Sequence, residues 1–260
     1  MTLNSIMGFV SSLAMLLPIV LIISLKLSSY RSFPALLVYY TSALIYNLLT
    51  QHYINLNAEQ TRFVGITNNL LDIPLMLYFL TYFSVSKEFS KRLTLVILAF
   101  LIFELTVTLI SGYNVNTITI TLGPGLALVL AVSLYFFIRQ AKMAIIHRKA
   151  TGKALMISAI LFGYGCFSFI YLMYYVFKAH LDELGRVREQ YKQDTFLIYF
   201  LSTTISSLLL CVGIIIERKR IQKLNELKQT RKELSTIYTE TKRAVPYRTA
   251  MLDFDKDQWN

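Results

Sequence analysis

The chain has 260 residues, 55% of them hydrophobic, and a formal net charge of +11 at pH 7. A soluble domain carries roughly 25% charged residues, whereas this chain carries 16%, so its composition excludes an ordinary soluble domain and indicates a polytopic helical membrane protein. The basic residues flank long apolar segments, so membrane orientation and attraction to anionic lipid explain the positive charge, and nucleic acid is not an expected partner.

Seven apolar segments are each long enough to cross a bilayer, because about 20 helical residues cover a hydrocarbon core of about 30 Å. They run over residues 2–25, 32–51, 63–86, 93–112, 118–138, 154–177 and 195–216. The first has no preceding basic residue and no following cleavage site, so we expect a retained helix and not a signal peptide. The sequence thus predicts an all-α fold, with a seven-helix transmembrane domain over residues 1–216 and a tail over residues 217–260.

The placement of lysine and arginine predicts the orientation of these spans. All but five of the 26 basic residues fall on one side, and the exceptions are Arg62, Lys178, Arg186, Arg188 and Lys192. Cytoplasmic connections are enriched in basic residues, so the N-terminus is predicted outside and the C-terminus in the cytoplasm. We expect an integral, multi-pass protein of the plasma (inner) membrane of a bacterium.

The third span carries three polar groups near its middle. Asn68 and Asn69 precede Asp72 by four and three residues, so all three share one helical face. Pro74 then frees the carbonyl of Leu70 within a turn of the carboxyl group. A carboxylate at this depth is costly, which favours a functional site. The alternative is a neutral Asp72 that clasps a neighbouring helix.

A second acid, Glu104, lies in the fourth span. At about 1.5 Å per residue, Asp72 lies about 14 Å below the outer edge and Glu104 about 17 Å above the inner edge. Consecutive antiparallel helices usually pack side by side, so the two carboxyl groups are predicted to share a site. No lysine or arginine lies inside the seven spans, so the acids must be protonated, hydrated, or matched by an ion or a cationic ligand.

Other polar side chains are candidates to complete this interior site. Asn47 lies only about 6 Å below the outer edge at about 1.5 Å per residue and lines an entrance or meets interfacial water. Tyr171 belongs to an aromatic run in the sixth span that also includes Tyr174. Ser202 and Ser206 form a hydroxyl stripe on the seventh span. For these hydroxyls the competing interpretation is a bond to a carbonyl of their own helix.

Two further segments have residue patterns that predict how their helices pack. Gly123, Ala127 and Ala131 give the fifth span a stripe of small residues, which favours close helix packing. Between the sixth and seventh spans, apolar residues recur at helical spacing and predict a short amphipathic helix; they are Leu181, Leu184, Val187 and Tyr191.

The tail is predicted to be a basic cytoplasmic helix that continues the seventh span, since no glycine or proline lies between Gly213 and Pro246. An interrupted apolar stripe, including Leu227 and Leu234, gives at most a short coiled coil. Three interpretations stay open for residues 217–245: contact with a second copy or a cytoplasmic signalling protein, contact with anionic lipid, or a solvated helical stub. The chain ends in an acidic and aromatic peptide.

The layout resembles that of seven-span bacterial receptors, which feed cytoplasmic signalling modules. It also invites comparison with retinal-binding rhodopsins, but the seventh span has no lysine for a Schiff base, so a covalent retinal pigment is excluded.

Three function classes follow. The first is a receptor or sensor that binds a small apolar, amphipathic or cationic ligand in a midplane polar site and signals through the helix beyond span seven. The second is a small proton- or cation-coupled transporter that uses Asp72 and Glu104. A membrane enzyme is the least favoured, because no catalytic motif or metal-ligand spacing is present. We assign no catalytic residue and no metal site, and the sequence names no cofactor.

Overall fold

In the computed structural model of the protein, the described residues are 3–51, 53–54, 56–84, 86–147, 150–173 and 185–241. Within these ranges seven helices are long and apolar enough to cross a membrane. They are α1 (Leu3–Ser24), α2 (Phe33–Thr50), α3 (Ala58–Leu80), α4 (Lys87–Ser111), α5 (Val115–His147), α6 (Thr151–Tyr171) and α7 (Gly185–Thr241). The predicted all-helical fold with seven spans is confirmed at this level, and the chain is an integral, multi-pass membrane protein. Its orientation stays a prediction.

Six helices form a closed ring. The packed neighbours are α1 with α2, α2 with α3, α3 with α5, α5 with α6, α6 with α7, and α7 with α1. Helix α4 packs on the outside against α3 and α5, and its outer face exposes Leu109 and Ile110 by 77% and 79%. Large apolar side chains exposed in this way fit a helix that faces lipid tails.

Several helices begin or end at other residues than the predicted apolar spans. Helix α3 begins at Ala58, where the side chain of Gln60 accepts a hydrogen bond from the backbone of Asn57 (3.3 Å). It gives way to a 3₁₀ turn, Thr81–Phe83, before the predicted end of the span at residue 86. Helix α5 continues to His147 and takes up most of the predicted basic connection.

Helix α4 is bounded by residues that commonly mark the two ends of a helix. At its start the hydroxyl of Ser86 accepts a hydrogen bond from the backbone N–H of Phe89 (3.1 Å), as an N-cap residue does. At its end Gly112 has a φ of 76°, a conformation that a residue with a side chain rarely adopts.

The last helix, α7, is a single helix of 57 residues. The predicted continuation of span seven into the tail is therefore present as far as Thr241. Of the predicted amphipathic connection, the part up to residue 184 lies outside the described residues, and the part from Gly185 onward belongs to α7 without a break. Residues 242–260, which include the predicted terminal peptide, and Tyr174 also lie outside them.

Helices α6 and α7 make the closest crossing. A methyl group added at Gly213 would lie 2.6 Å from Cγ and 2.9 Å from the backbone nitrogen of Met156. One added at Gly152 would lie 2.7 Å from the backbone nitrogen of Glu217. Two glycines therefore bring these two backbones into direct contact at the end of the bundle where α7 leaves it.

Candidate functional site

Asp72 lies in the interior of the bundle, where it joins two helices that are not neighbours in the ring. The hydroxyl of Tyr164, on α6, donates a hydrogen bond to Oδ1 of Asp72, on α3. Tyr164 is 2% exposed, and Ile73 and Pro74 beside Asp72 are also buried. A hydrogen bond to a carboxylate is among the stronger kinds. It gives the acid one partner within spans whose sequences hold no lysine or arginine.

Two more tyrosines complete what we call the Asp72 cluster: Asp72, Tyr39, Tyr164 and Tyr199. Tyr39, on α2, interacts with the Tyr164 hydroxyl and electrostatically with Asp72. Tyr199, on α7, interacts electrostatically with Asp72 and with Tyr39. Phe167 stacks on the Tyr199 ring at 5.5 Å and meets the Tyr164 ring edge-on at 5.8 Å. The Asp72 carboxyl group thus accepts a hydrogen bond from one phenol group and interacts electrostatically with phenol groups on two further helices.

Glu104 turns into the bundle from the peripheral helix α4. It is 7% exposed, whereas the next residue, Leu105, is 64% exposed. It interacts electrostatically with Asp72. A shared proton or a shared ligand between the two acids stays a prediction.

The two asparagines of the predicted polar face lie one turn before Asp72 and are half-buried. Asn69 donates to the carbonyl of Gly65 on its own helix (2.8 Å). Asn68 is half-buried on the same face as Asp72. Among the described residues no group of three or more His, Cys, Asp and Glu side chains gathers that could hold a metal ion.

The other four candidates each have a partner within the protein, away from the Asp72 carboxyl group. Asn47 is 1% exposed and donates to Ser12 on α1 (2.8 Å). Tyr171 donates to the carbonyl of Thr119 on α5 (2.8 Å). Ser202 donates to a carbonyl of α7 itself (3.0 Å), and Ser206 to the carbonyl of Ala159 on α6 (2.9 Å). These bonds hold helices together or stay within one helix, and a ligand role for the four residues stays a prediction.

A second polar cluster lies at the end of the bundle where α7 emerges. Glu217, 1% exposed, accepts a hydrogen bond from the Tyr82 hydroxyl (2.5 Å) and is ion-paired with Arg220 (2.7 Å). The ammonium group of Lys153 lies 4.9 Å from the centre of the Tyr82 ring. We call these four residues, Tyr82, Lys153, Glu217 and Arg220, the base cluster. It ties the turn after α3 and the start of α6 to α7.

Sequence reasoning missed Tyr39, Tyr164 and Tyr199 as members of the site, and it placed Glu217 only at the start of the tail. Depth along the predicted spans did not single out Tyr164. Counted from the outer edge, Asp72 lies nine residues inward, and Tyr164 and Tyr171 lie on either side of that depth, at 13 and six residues.

The chain matches no protein-family model, no curated protein and no solved structure.

Proposed function

We propose that the protein is a seven-span receptor that binds a small amine with an apolar body at the Asp72 cluster and signals through α7. The observation that carries the proposal is the path of α7. One unbroken helix carries Tyr199, which interacts electrostatically with Asp72, places Glu217 in the base cluster, and continues to Thr241.

The chemistry of the cluster favours a cation with an apolar body. A carboxylate supplies the opposite charge, and an aromatic face attracts a cation by about 0.5–1 kcal/mol at exposed sites and by about 2 kcal/mol or more when water is excluded. The sequences of the seven predicted spans hold no lysine or arginine, so a ligand ammonium group would supply a positive charge that the described residues around Asp72 and Glu104 lack. A neutral ligand of the same shape gains the apolar contacts and lacks the charge interaction.

The tail supports an output role. Beyond Leu224 the described side chains of α7 are exposed as far as Ser235, and Leu227 and Leu234 are exposed by 64% and 48%. The segment from Gln222 to Thr241 extends about 30 Å at 1.5 Å per residue. In the proposed receptor this segment meets a second copy or a separate signalling protein.

Ligand binding is tested with 2-phenylethylamine and its neutral analogue 2-phenylethanol on the full chain in lipid nanodiscs. The amine should raise the melting temperature clearly more than the alcohol does. Asp72→Asn should abolish the shift and Tyr164→Phe should reduce it, while Glu88→Gln, which changes an exposed acid in the first turn of α4, should leave it intact. Equal shifts by amine and alcohol, or a full shift in a folded Asp72→Asn variant, would show that the cluster is not a cation site.

Signalling is tested by the distance between spin labels at Lys228 in the tail and at Lys91 on α4. Both positions are exposed, and Cys166 and Cys211 are first replaced by alanine. The amine should change the distance distribution, and Asp72→Asn should prevent the change. A distribution that stays fixed while the amine binds would contradict a relay through α7.

A second candidate function is transport coupled to protons or another cation, favoured by the electrostatic interaction of Asp72 with Glu104. Reconstituted vesicles with an imposed pH gradient separate the two functions. A receptor should give amine binding without accumulation of labelled 2-phenylethylamine. A transporter should accumulate it, and should still do so after residues 221–260 are removed.

A further inference from the structure

Basic side chains outnumber acids around the base cluster. Arg31, in the connection between α1 and α2, and Arg220 both interact electrostatically with Lys153. The acid that also acts on Lys153 is Glu217, and it is already engaged by Arg220 and Tyr82. The group therefore holds three cations against one carboxylate.

Two of these cations rest on aromatic rings. The guanidinium group of Arg31 lies 5.9 Å from the centre of the Tyr30 ring, and Lys153 lies over Tyr82. The Tyr30 and Tyr82 rings meet edge to face at 6.3 Å. In the described part of the chain, neither Arg31 nor Lys153 has a carboxylate at ion-pair distance. A ring face orients a cation and leaves N–H donors of both groups free for another acceptor.

The cluster lies at the level where helices end. Arg31 precedes the start of α2 at Phe33, Tyr82 follows the end of α3 at Leu80, and Lys153 is the third residue of α6. The ends of membrane helices lie at the depth of the lipid headgroups. Anionic headgroups of the cytoplasmic leaflet attract basic side chains there.

We propose that Arg31, Lys153 and Arg220 form a binding site for the phosphate group of an anionic membrane lipid. The phosphate accepts hydrogen bonds from Lys153 and from the guanidinium group of Arg31, and its charge relieves the repulsion among the three cations. Because Arg220 also pairs with Glu217, the bound headgroup lies directly beside the residue that anchors α7. The site is independent of the Asp72 cluster and of the function proposed for it.

The site is tested with the delipidated full chain in a neutral detergent, titrated separately with phosphatidylglycerol, phosphatidylcholine and inorganic phosphate. Melting temperature and lipid adducts in native mass spectrometry are the readouts. Phosphatidylglycerol should bind in a one-to-one adduct and raise the melting temperature, and the zwitterionic lipid should do so less. If inorganic phosphate gives the same shift at the same concentration, the ligand is the free ion and the lipid assignment is overturned.

Variants separate this site from general surface charge. A basic side chain near an anionic lipid changes affinity by about fivefold, so the double variant Arg31→Gln/Lys153→Gln should bind phosphatidylglycerol about 25-fold more weakly. The matched control Lys91→Gln/Arg92→Gln removes the same charges from exposed positions on α4 and should stay within about twofold. If the double variant does not fold, Arg31→Gln alone still tests the site, because Arg31 is exposed. Its affinity for phosphatidylglycerol should fall about fivefold. An equal loss in the control, or an unchanged affinity in Arg31→Gln, would overturn the site.

Discussion

Replacing Gly213 by alanine should weaken the contact between α6 and α7. The added methyl group meets Cγ and the backbone nitrogen of Met156 at 2.6 and 2.9 Å, and the carbonyl oxygen of Gly152 at 3.1 Å. Met156 is fully buried, and two of the three contacted atoms belong to the backbone. A rotation of the Met156 side chain alone therefore cannot make room, and the two helices must move apart.

The size of the effect follows from two opposing contributions. An extra methyl group in a packed interior costs about 1–3 kcal/mol, and backbone contacts place this site near the upper end. Alanine gains about 1 kcal/mol over glycine in a helix interior. The net loss is about 2 kcal/mol, which lowers the melting temperature of a chain of this size by about 4–8 °C.

Gly165→Ala is the matched control on α6. A methyl group there has no neighbouring atom within 4 Å, so only the gain in helix propensity remains, and this variant should melt at or slightly above the temperature of the parent. The assay follows a fluorogenic thiol dye in a Cys166→Ser background, where the buried thiol of Cys211 reports unfolding, with circular dichroism as a second probe. A Gly213→Ala variant that melts at or above the parent would refute the close crossing.

Three further predictions concern orientation and the two ends of the bundle. Cysteines introduced at Asn57 and Thr151 should react with an impermeant thiol reagent from opposite sides of the membrane, and labelling of both from one side would defeat the predicted topology. Asn47→Ala removes the hydrogen bond to Ser12, so it should lower the free energy of unfolding by about 0.6 kcal/mol, the average for hydrogen bonds between membrane helices. Binding of 2-phenylethylamine should stay unchanged. A loss of binding would instead place Asn47 in the ligand site. Glu217→Gln should lower the free energy of unfolding by about 2 kcal/mol, which is less than the 3–5 kcal/mol of a fully buried pair because the Arg220 side chain is 34% exposed. The control Glu226→Gln, at an exposed position, should leave stability unchanged. Equal melting temperatures of the two variants would show that the base cluster does not hold α7.

Hydropathy predicted the seven spans because each helix that crosses a membrane must be apolar over about 20 residues. It marks the part of a helix that lipid surrounds, and not the points where the helix begins and ends. Helix α5 therefore runs on to His147 through charged residues that favour water without breaking a helix. Asn57 and Gln60 have the spacing of a capping box, a signal in the sequence that places the start of α3 at Ala58.

The candidate site could be predicted only in part. Helical spacing was enough to put Asn68, Asn69 and Asp72 on one face, since that relation is internal to α3. The contact of Asp72 with Tyr164 depends on how far α6 is rotated about its own axis, and packing against α5 and α7 decides that rotation. Neither depth nor spacing within the sixth span selects the residue that faces a distant helix.

The positions of the two clusters on α7 show how one could act on the other. Tyr199 and Glu217 are 18 residues apart, which is five turns of an α-helix and about 27 Å, so they lie on the same face. Side-chain groups lie about 5–6 Å from the helix axis, and a rotation of about 30° moves them by about 3 Å. That displacement exceeds what the 2.5 Å bond between Tyr82 and Glu217 tolerates. In the proposed receptor, a ligand that turns α7 at Tyr199 must therefore also break or reform the anchor at Glu217, because one unbroken helix joins the two residues and its glycine, Gly213, is packed tightly against Met156.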